Sequence, residues 1–506
     1  MSSAIAQSPE RDDVALLAAQ TSTQRLAIED QAAEGFGRRG PFRPGRLVPA
    51  RARMQVRSLS RLFRVVDGLV FAGVTAAAIG IARPTPDVLA PLVLGALALL
   101  PALYLLEAYT FHRRETLGRQ ALRVSAAFGV VGVVALMATL IFGHGQIDPA
   151  LLAGWGLGLA AATALLHVLW WRVVDHGRRD GRLTPNVVVV GATVNAERFI
   201  RGALATGDVN VLGVFDDRAD RAPSQVLGVP VLGDTSALID HRIMPYVDRV
   251  IIAVTSTAQV RVAQLVERLE ILPNPVSLFV DLDREAQRNA SMAHFVDLSG
   301  ATTDARRALV KRAQDLVIGS LGLLAAAPVM LLVAAAIKLD SPGPVFFRQR
   351  RHGFNNEAIL VWKFRSMRHD MADAKAVRQI SADDDRVTKV GKFIRKTSLD
   401  ELPQLFNVLR GEMSMVGPRP HAIGMKSGDV ESETLVARYA HRHRMKPGVT
   451  GWAAINGSRG PVDTAEQVQE RVALDIEYIE RQSFWLDLYI IAMTIPCLLG
   501  DRSAVR

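Results

Sequence analysis

The chain has 506 residues, with 60 Lys plus Arg against 50 Asp plus Glu and a formal net charge of +10. That length implies several domains, and the single cysteine, Cys497, excludes an internal disulfide and any cysteine-rich zinc or iron–sulfur site. Nine arginines and no acid fall between positions 38 and 64, a local basic patch of the kind that meets nucleic acid or anionic lipid.

Residues 1–60 lack a sustained apolar period and read as a disordered basic N-terminal tail with no cleavable signal peptide. Four apolar stretches follow, at 65–82, 88–106, 124–142 and 151–171; the first carries only Asp67 and the last only His167. Each is long enough to cross a hydrocarbon core of about 30 Å, so a bundle of four transmembrane helices is expected over 61–175. Buried helices of a soluble core would need an amphipathic face, and these runs have none. Basic residues precede the first span, fill the second loop (His112, Arg113, Arg114, Arg119) and follow Trp171 (Arg172, Arg178, Arg179, Arg182). By the positive-inside rule both ends of the bundle face the cytoplasm.

From Asn186 short β-branched runs alternate with helical stretches: 187–190, 209–215, 249–254 and 276–280. This pattern predicts a parallel, doubly wound α/β sheet, a Rossmann-like domain over 185–300. The turn Gly191-Ala192-Thr193-Val194-Asn195-Ala196 keeps one glycine of the dinucleotide fingerprint, so the domain reads as a degenerate nucleotide-binding fold with a scaffolding or regulatory task. A fifth apolar run, 316–337, contains Pro328. A mid-helix proline kinks the chain, and a full crossing would carry the chemically richest segment away from cytoplasmic nucleotides. A re-entrant helix over 313–339, kinked at Pro328, is therefore expected, with an ordinary fifth span as the alternative.

The stretch 391–420 concentrates charge, glycine and proline. Ser398-Leu399-Asp400-Glu401 opens a helix whose apolar residues Leu402, Leu405, Phe406 and Leu409 share one face, closed by Gly411. Ser398 with Glu401 also fits a capping box, the plainer reading of the two acids. Around them lie Lys392, Arg395, Lys396, Arg410 and Arg419, a cationic setting suited to phosphates. Arg419 sits between Pro418 and Pro420, which restrict its backbone. Lys363-Phe364-Arg365-Ser366-Met367 alternates like a half-buried strand; Arg442, His443, Arg444 and Lys446 precede Pro447-Gly448-Val449-Thr450-Gly451-Trp452. Together these would make a basic pocket, or singly solvated charge runs. His441 and His443 have no partner at metal spacing. The run 484–499, interrupted by Asp487 and Pro496, reads as an interfacial helix or a core helix.

Lys363 to Met367, Thr397-Ser398-Leu399-Asp400-Glu401-Leu402-Pro403-Gln404-Leu405, Met413-Ser414-Met415-Val416-Gly417-Pro418-Arg419-Pro420 and Lys446 to Trp452 together resemble the bacterial sugar transferases, the monotopic polyprenyl-phosphate phosphoglycosyl transferases. The resemblance covers residues 310–506. With four preceding spans and a degenerate nucleotide-binding domain, the chain is similar to the large members. Pro420-His421-Ala422, Asn456-Gly457-Ser458-Arg459-Gly460 and Asp463-Thr464 are most like the undecaprenyl-phosphate glucose phosphotransferases of exopolysaccharide synthesis.

The resemblance implies an α/β monotopic catalytic domain over 308–506 and a two-step exchange. Asp400 matches the nucleophile, which attacks the β-phosphate of a UDP-sugar, expels UMP and holds the sugar phosphate until undecaprenyl phosphate takes it. Glu401 matches the second acid, and Arg395 and Arg419 match phosphate-binding positions; Lys363 and Arg365 lie in a matching motif. Opposed anions need a divalent cation between them, so Mg2+ is expected, with Asp400 as its protein contact. The sequence departs from the family pattern at Ala327, where a serine hydroxyl is lost beside the Pro328 kink, and at Asp385 and Ala454, neither of which touches the acid pair.

The expected enzyme is a multi-pass protein of the bacterial inner membrane with a cytoplasmic catalytic domain, transferring a hexose 1-phosphate, glucose 1-phosphate by the resemblance. Its partners are the UDP-sugar, undecaprenyl phosphate and membrane lipids, with no nucleic acid; a homo-oligomer is left open. Two rivals stand beside it. A membrane sugar-nucleotide dehydratase or epimerase needs an intact glycine loop, and a non-enzymatic scaffold of polysaccharide assembly needs no intact Asp400, Glu401, Arg395 and Arg419.

Overall fold

The computed structural model describes residues 47–54, 56–111, 116–142, 149–218, 223–254, 259–279, 295–299, 305–368, 386–421, 423, 426–427, 430–431, 435–436, 438–460, 462 and 464–500. Residues 1–46 of the expected tail, the loop positions His112, Arg113 and Arg114, the loop 143–148 and Asp385 lie outside the described residues.

The apolar runs fold into helices α1 (Val56–Ala82), α2 (Pro86–Leu105), α3 (Leu117–Phe142) and α4 (Pro149–Arg179). They outrun the apolar stretches because polar and basic turns continue the helices at their ends, which widens the expected 61–175 to 56–179. Phe63, Leu92, Leu99, Leu103, Leu159 and Trp170 form the bundle core, with Phe63 stacked on Trp170 at 4.2 Å. Leu69, Leu97, Leu122, Leu140 and Leu165 point outward and are exposed. Asp67 is buried inside, accepting from the Tyr109 hydroxyl (2.6 Å) and Trp170 Nε1 (2.8 Å) and facing His167 at 3.4 Å. A buried carboxylate so supplied with donors is tolerable in an apolar bundle.

The tail expected to reach residue 60 ends earlier. Arg53 pairs with Asp248 and donates to the carbonyls of Val48, Thr184 and Tyr246. Arg51 meets Glu357 at 2.8 Å and Glu412 at 3.6 Å. These two arginines are thus structural ties between parts of the chain and not a free basic arm.

Among the described residues the middle domain forms a seven-stranded sheet in the order 225–226, 229–233, 210–215, 186–190, 249–252, 276–279 and 295–299. Strands β1 (Asn186–Val190), β2 (Asn210–Phe215), β5 (Arg249–Ile252) and β6 (Val276–Phe279) match the four expected runs and are parallel, with β4 (Val229–Gly233) beside β2. The edge strands β3 (Gln225–Val226) and β7 (Phe295–Ser299) are antiparallel. Helices α5 (Val194–Thr206), α6 (Thr235–Ile239) and α7 (Gln259–Leu269) connect the strands. Thr193 caps α5, and its hydroxyl donates to the Ala253 carbonyl. It stands where the fingerprint's second glycine would let a pyrophosphate approach. At the end of β2, Asp216 accepts from Ala192 N–H (2.7 Å) and from Arg218. Burial alone would raise that carboxyl, but the Arg218 and Ala192 hydrogen bonds hold it at about 2.

Helix α8 (Ala305–Asp340) runs unbroken past Pro328 for 36 residues, about 54 Å. Among the described residues five helices are long and apolar enough to cross a membrane: Ser58–Ala82, Val88–Leu105, Leu117–Phe142, Pro149–Arg179 and Arg306–Asp340. One domain accompanies α8 along its length. Near its start Arg312 donates to the carbonyls of Val408 and Leu409, and Gly319 lies against Val408. Near its end Met330, Val333 and Ile337 pack with Phe364 and Ile394.

That domain begins with an antiparallel hairpin, β8 (Phe346–His352) and β9 (Ala358–Phe364), whose tip Asn355 donates to the Met244 and Val247 carbonyls of the middle domain. Helices α9 (Lys389–Lys396) and α10 (Gln404–Arg410) follow. Strand β10 (Ser414–Val416) and, after the short pair β11 (Lys426–Ser427) and β12 (Val430–Glu431), strand β13 (Gly448–Thr450) lie parallel. Helices α11 (Trp452–Ile455), α12 (Ala465–Arg481) and α13 (Phe484–Gly500) close the domain. On α13, Asp487 pairs with Lys311 (3.0 Å) and accepts from Tyr478 (2.7 Å), while Trp485 and Tyr489 are exposed.

Candidate active site

The acid pair sits on a 3-10 turn, Leu399–Glu401, ahead of α10, and not inside a continuous helix from Ser398. Ser398 is left-handed (φ 57°) and makes no side-chain cap; its hydroxyl accepts from Arg459 at 2.8 Å. The capping box is therefore absent. A left-handed residue cannot take the extended backbone of an N-cap, and the change of direction frees Glu401 to meet cations. Gly411 (φ +76°) ends α10 as expected.

Three elements converge on the pair. Lys363, near the end of β9, donates to Glu401 Oε1 at 2.8 Å and lies 4.0 Å from Asp400 Oδ2. Arg419 donates to the same Glu401 oxygen at 3.0 Å. Arg395, in the last turn of α9, adds positive potential at Asp400. Among the described residues Asp400 has no hydrogen-bond partner for its carboxylate.

The two acids are driven apart electrostatically. Burial, the larger influence, and the charge of Glu401 raise the Asp400 carboxyl above its ordinary value, with Lys363, Arg395 and Arg419 opposing. Burial also disfavours ionised Glu401, but Arg419 and Lys363 together outweigh it and hold that carboxyl well below the usual range. Adjacent acids with separated affinities for protons are suited to different roles: Glu401 is an anion held between two cations, and Asp400 is left without a hydrogen-bond donor among the described residues.

Arg365 does not join them. It is buried, and it donates to the carbonyls of Pro342 (2.5 Å), Ser341 (2.7 Å) and Ile337 (3.4 Å), satisfying groups that the end of α8 leaves open. Strand β9 stops at Phe364, so the expected alternation through Met367 breaks there. Pro328, where a kink is expected, lies inside α8, which continues through it as one helix. Two cations of the run from Arg442 to Lys446 are engaged with protein groups. Arg442 is paired with buried Asp475 at 2.6 Å, and Arg444 reaches the Pro273 carbonyl of the middle domain.

Residues outside the expected set complete the surroundings. Arg351 donates to the Pro420 carbonyl at 3.4 Å, and burial, with Arg419 nearby, lowers its guanidinium to about 10. The Arg419 loop is set by glycines: a Cβ on Gly417 would lie 2.4 Å from the Lys446 carbonyl oxygen, and one on Gly448 2.1 Å from Gly417 N. Only glycine lets β10 and β13 approach this closely, and the motif glycines were the signal for it.

Residues 306–501 match the family described as bacterial sugar transferase, and residues 104–279 match one described as CoA-binding domain. The chain is 34% identical over 388 residues to a UDP-glucose:undecaprenyl-phosphate glucose-1-phosphate transferase of Xanthomonas campestris pv. campestris, covering 74% of this chain and 79% of the relative. It is 56% identical over 196 residues to an undecaprenyl-phosphate glucose phosphotransferase of Komagataeibacter xylinus, covering 39% of this chain and 37% of the relative. It is 52% identical over 187 residues to a UDP-glucose:undecaprenyl-phosphate glucose-1-phosphate transferase of Escherichia coli strain K12, covering 37% of this chain and 39% of that relative. On that span and identity the chain belongs to the bacterial sugar transferase family.

Proposed function

We propose that the chain transfers glucose 1-phosphate from UDP-glucose to undecaprenyl phosphate, releasing UMP, as the first membrane step of exopolysaccharide biosynthesis. The names of the Xanthomonas, Komagataeibacter and Escherichia relatives support the substrates and the class of reaction. The observation that carries the chemistry is the asymmetry of the acid pair: Glu401 is engaged by Lys363 and Arg419, and Asp400 is not hydrogen-bonded among the described residues.

In this reading an Asp400 oxygen attacks the β-phosphorus of UDP-glucose. The bond from that phosphorus to the bridging oxygen breaks, UMP leaves with the electron pair, and the sugar phosphate remains on Asp400. An oxygen of undecaprenyl phosphate then attacks the same phosphorus and releases the carboxylate. Arg419 and Lys363 neutralise the diphosphate, Glu401 fixes both cations, and Arg395 supplies further positive potential.

Mg2+ fits the donor set. No group of three or more His, Cys, Asp or Glu gathers among the described residues, and Mg2+ typically takes one or two carboxylates with substrate phosphates and water. Asp400 would hold it, and the ion would supply charge neutralisation between carboxylate and diphosphate.

The reading places the chain in the inner membrane with α1 to α4 as spans and α8 as a re-entrant helix. Contacts of one domain with α8 at Arg312 and again at Met330, Val333 and Ile337 support re-entry, since in a crossing helix these positions would lie at opposite faces of the bilayer, out of reach of a single domain on one side. The exposed Trp485 and Tyr489 on α13 suit the headgroup region. Thr193 in the middle domain's first turn disfavours the dehydratase alternative.

The direct test is UMP release by the purified full chain with Mg2+, UDP-glucose and undecaprenyl phosphate. Asp400→Asn should release none; undiminished turnover in that variant removes Asp400 as the nucleophile.

A further inference from the structure

We infer that Arg442 is a positioning residue for the transfer: fully buried, it fixes the active-site Arg419 through that residue's main-chain carbonyl. The inference rests on the reading of Arg419 as a substrate-phosphate ligand and adds how that ligand is held.

The segment Pro418-Arg419-Pro420 cannot hold itself by ordinary pairing. Two of its three residues lack an N–H, so the segment is fixed chiefly through its carbonyls, which need outside donors. Each carbonyl has one. Gly448 N–H donates to the Pro418 carbonyl at 2.9 Å, Arg442 Nη2 to that of Arg419 at 2.7 Å, and Arg351 Nη1 to that of Pro420 at 3.4 Å. The Arg442 bond is the shortest of the three and acts on the residue whose guanidinium meets Glu401.

Arg442 is itself held. Its side chain is 0% exposed and its partner Asp475, on α12, is 2% exposed, with 2.6 Å between Nη2 and Oδ2. Its other terminal nitrogen, Nη1, lies 2.6 Å from His421 Nδ1, and the Tyr439 hydroxyl is 2.7 Å from the same nitrogen. Burial and the neighbouring arginines push the His421 imidazole well below its ordinary range, so it is neutral and accepts the Arg442 hydrogen bond. Both ends of this guanidinium are thus spent on the segment that carries Arg419, with Asp475 balancing the charge. A buried ion pair is weak evidence for stability on its own; here its geometry is directed at one loop.

A double-mutant cycle on the full chain in detergent tests the coupling. Arg442→Lys should lower kcat/KM for UDP-glucose by about ten- to a hundredfold, the scale expected when a ligand to the reacting group shifts by about 1 Å. In an Arg419→Ala background the same change should cost less than about threefold, because the group it positions is gone. Asp475→Asn, which keeps the side-chain volume, should give the same pattern and serves where Arg442→Lys does not accumulate. Full losses that multiply in the double variants overturn the inference and leave Arg419 in place. An Arg419→Ala enzyme with unchanged kcat/KM removes Arg419 as a ligand, and the inference with it.

Discussion

Gly417→Ala tests how tightly the Arg419 loop is built. The new methyl would lie 2.4 Å from the Lys446 carbonyl oxygen and 2.9 Å from Gly448 N, both main-chain atoms that cannot rotate away. Ordinary contact begins near 3.4 Å, so β10 and β13 must part by about 1 Å. That movement strains the Gly417 N–H bond to the Thr450 carbonyl (2.9 Å) and the Gly448 N–H bond to the Pro418 carbonyl (2.9 Å), one residue before Arg419. Overpacking of this kind costs about 1–3 kcal/mol of stability, and a 1 Å misplacement of a catalytic ligand costs about a hundredfold in rate, or roughly 2.7 kcal/mol in the barrier. The assay is UMP release at saturating undecaprenyl phosphate, with thermal unfolding measured in parallel. Gly460→Ala is the control, since a Cβ there meets nothing within 4 Å. A Gly417→Ala enzyme with the wild-type kcat/KM would refute the claim that this crossing positions Arg419.

Three further outcomes are expected. In the proposed reaction the ionised Asp400 attacks, so the acid limb of kcat/KM against pH should report this carboxyl; Lys363→Met removes a cation that favours its ionised form, so the limb should move to higher pH, and Lys363→Arg should largely restore it. An unmoved limb in Lys363→Met means the lysine acts on substrate alone. With Cys497 replaced by Ser, single cysteines at Arg307, in the first turn of α8, and at Pro344, just past its end, both exposed, should react with an impermeant thiol reagent from the same side of sealed vesicles; reaction from opposite sides establishes a span. Arg365→Ala should lower stability by about 2–3 kcal/mol through carbonyls left unpaired at the end of α8, seen as a lower unfolding midpoint with KM for UDP-glucose unchanged, whereas a raised KM at normal stability would make Arg365 a substrate ligand.

The apolar runs and the β-branched strands were legible because their periods are local. The acid pair and Arg419 were legible through the density of charge, glycine and proline around them. What escaped was set by distant partners. Arg351 reads as one more cation in Arg348-Gln349-Arg350-Arg351, and only hairpin pairing turns it toward the Pro420 carbonyl. Arg442 reads as part of a basic cluster because its counter-ion, Asp475, lies 33 residues away on another helix. Arg365 shares a motif with Lys363 yet faces the end of α8. Strands β3 and β4 were missed because they are short and joined by Leu227-Gly228, both at positive φ. The capping pattern at Ser398 failed for the opposite reason, a local rule overridden by the left-handed turn that aims Glu401 at its cations.

The arrangement around α8 also has a temporal side. Arg312 finds its carbonyl partners 96 and 97 residues later in the chain, and Asp315 meets the Ser414 hydroxyl after 99 residues. At ordinary synthesis rates of about 5–20 residues per second, this apolar helix emerges from the ribosome some 5–20 seconds before the groups that hold it exist. During that interval its sequence is indistinguishable from a span to the insertion machinery. On the proposed re-entrant reading, the newborn chain must therefore keep α8 from committing to a crossing until the polypeptide that packs against it has been made.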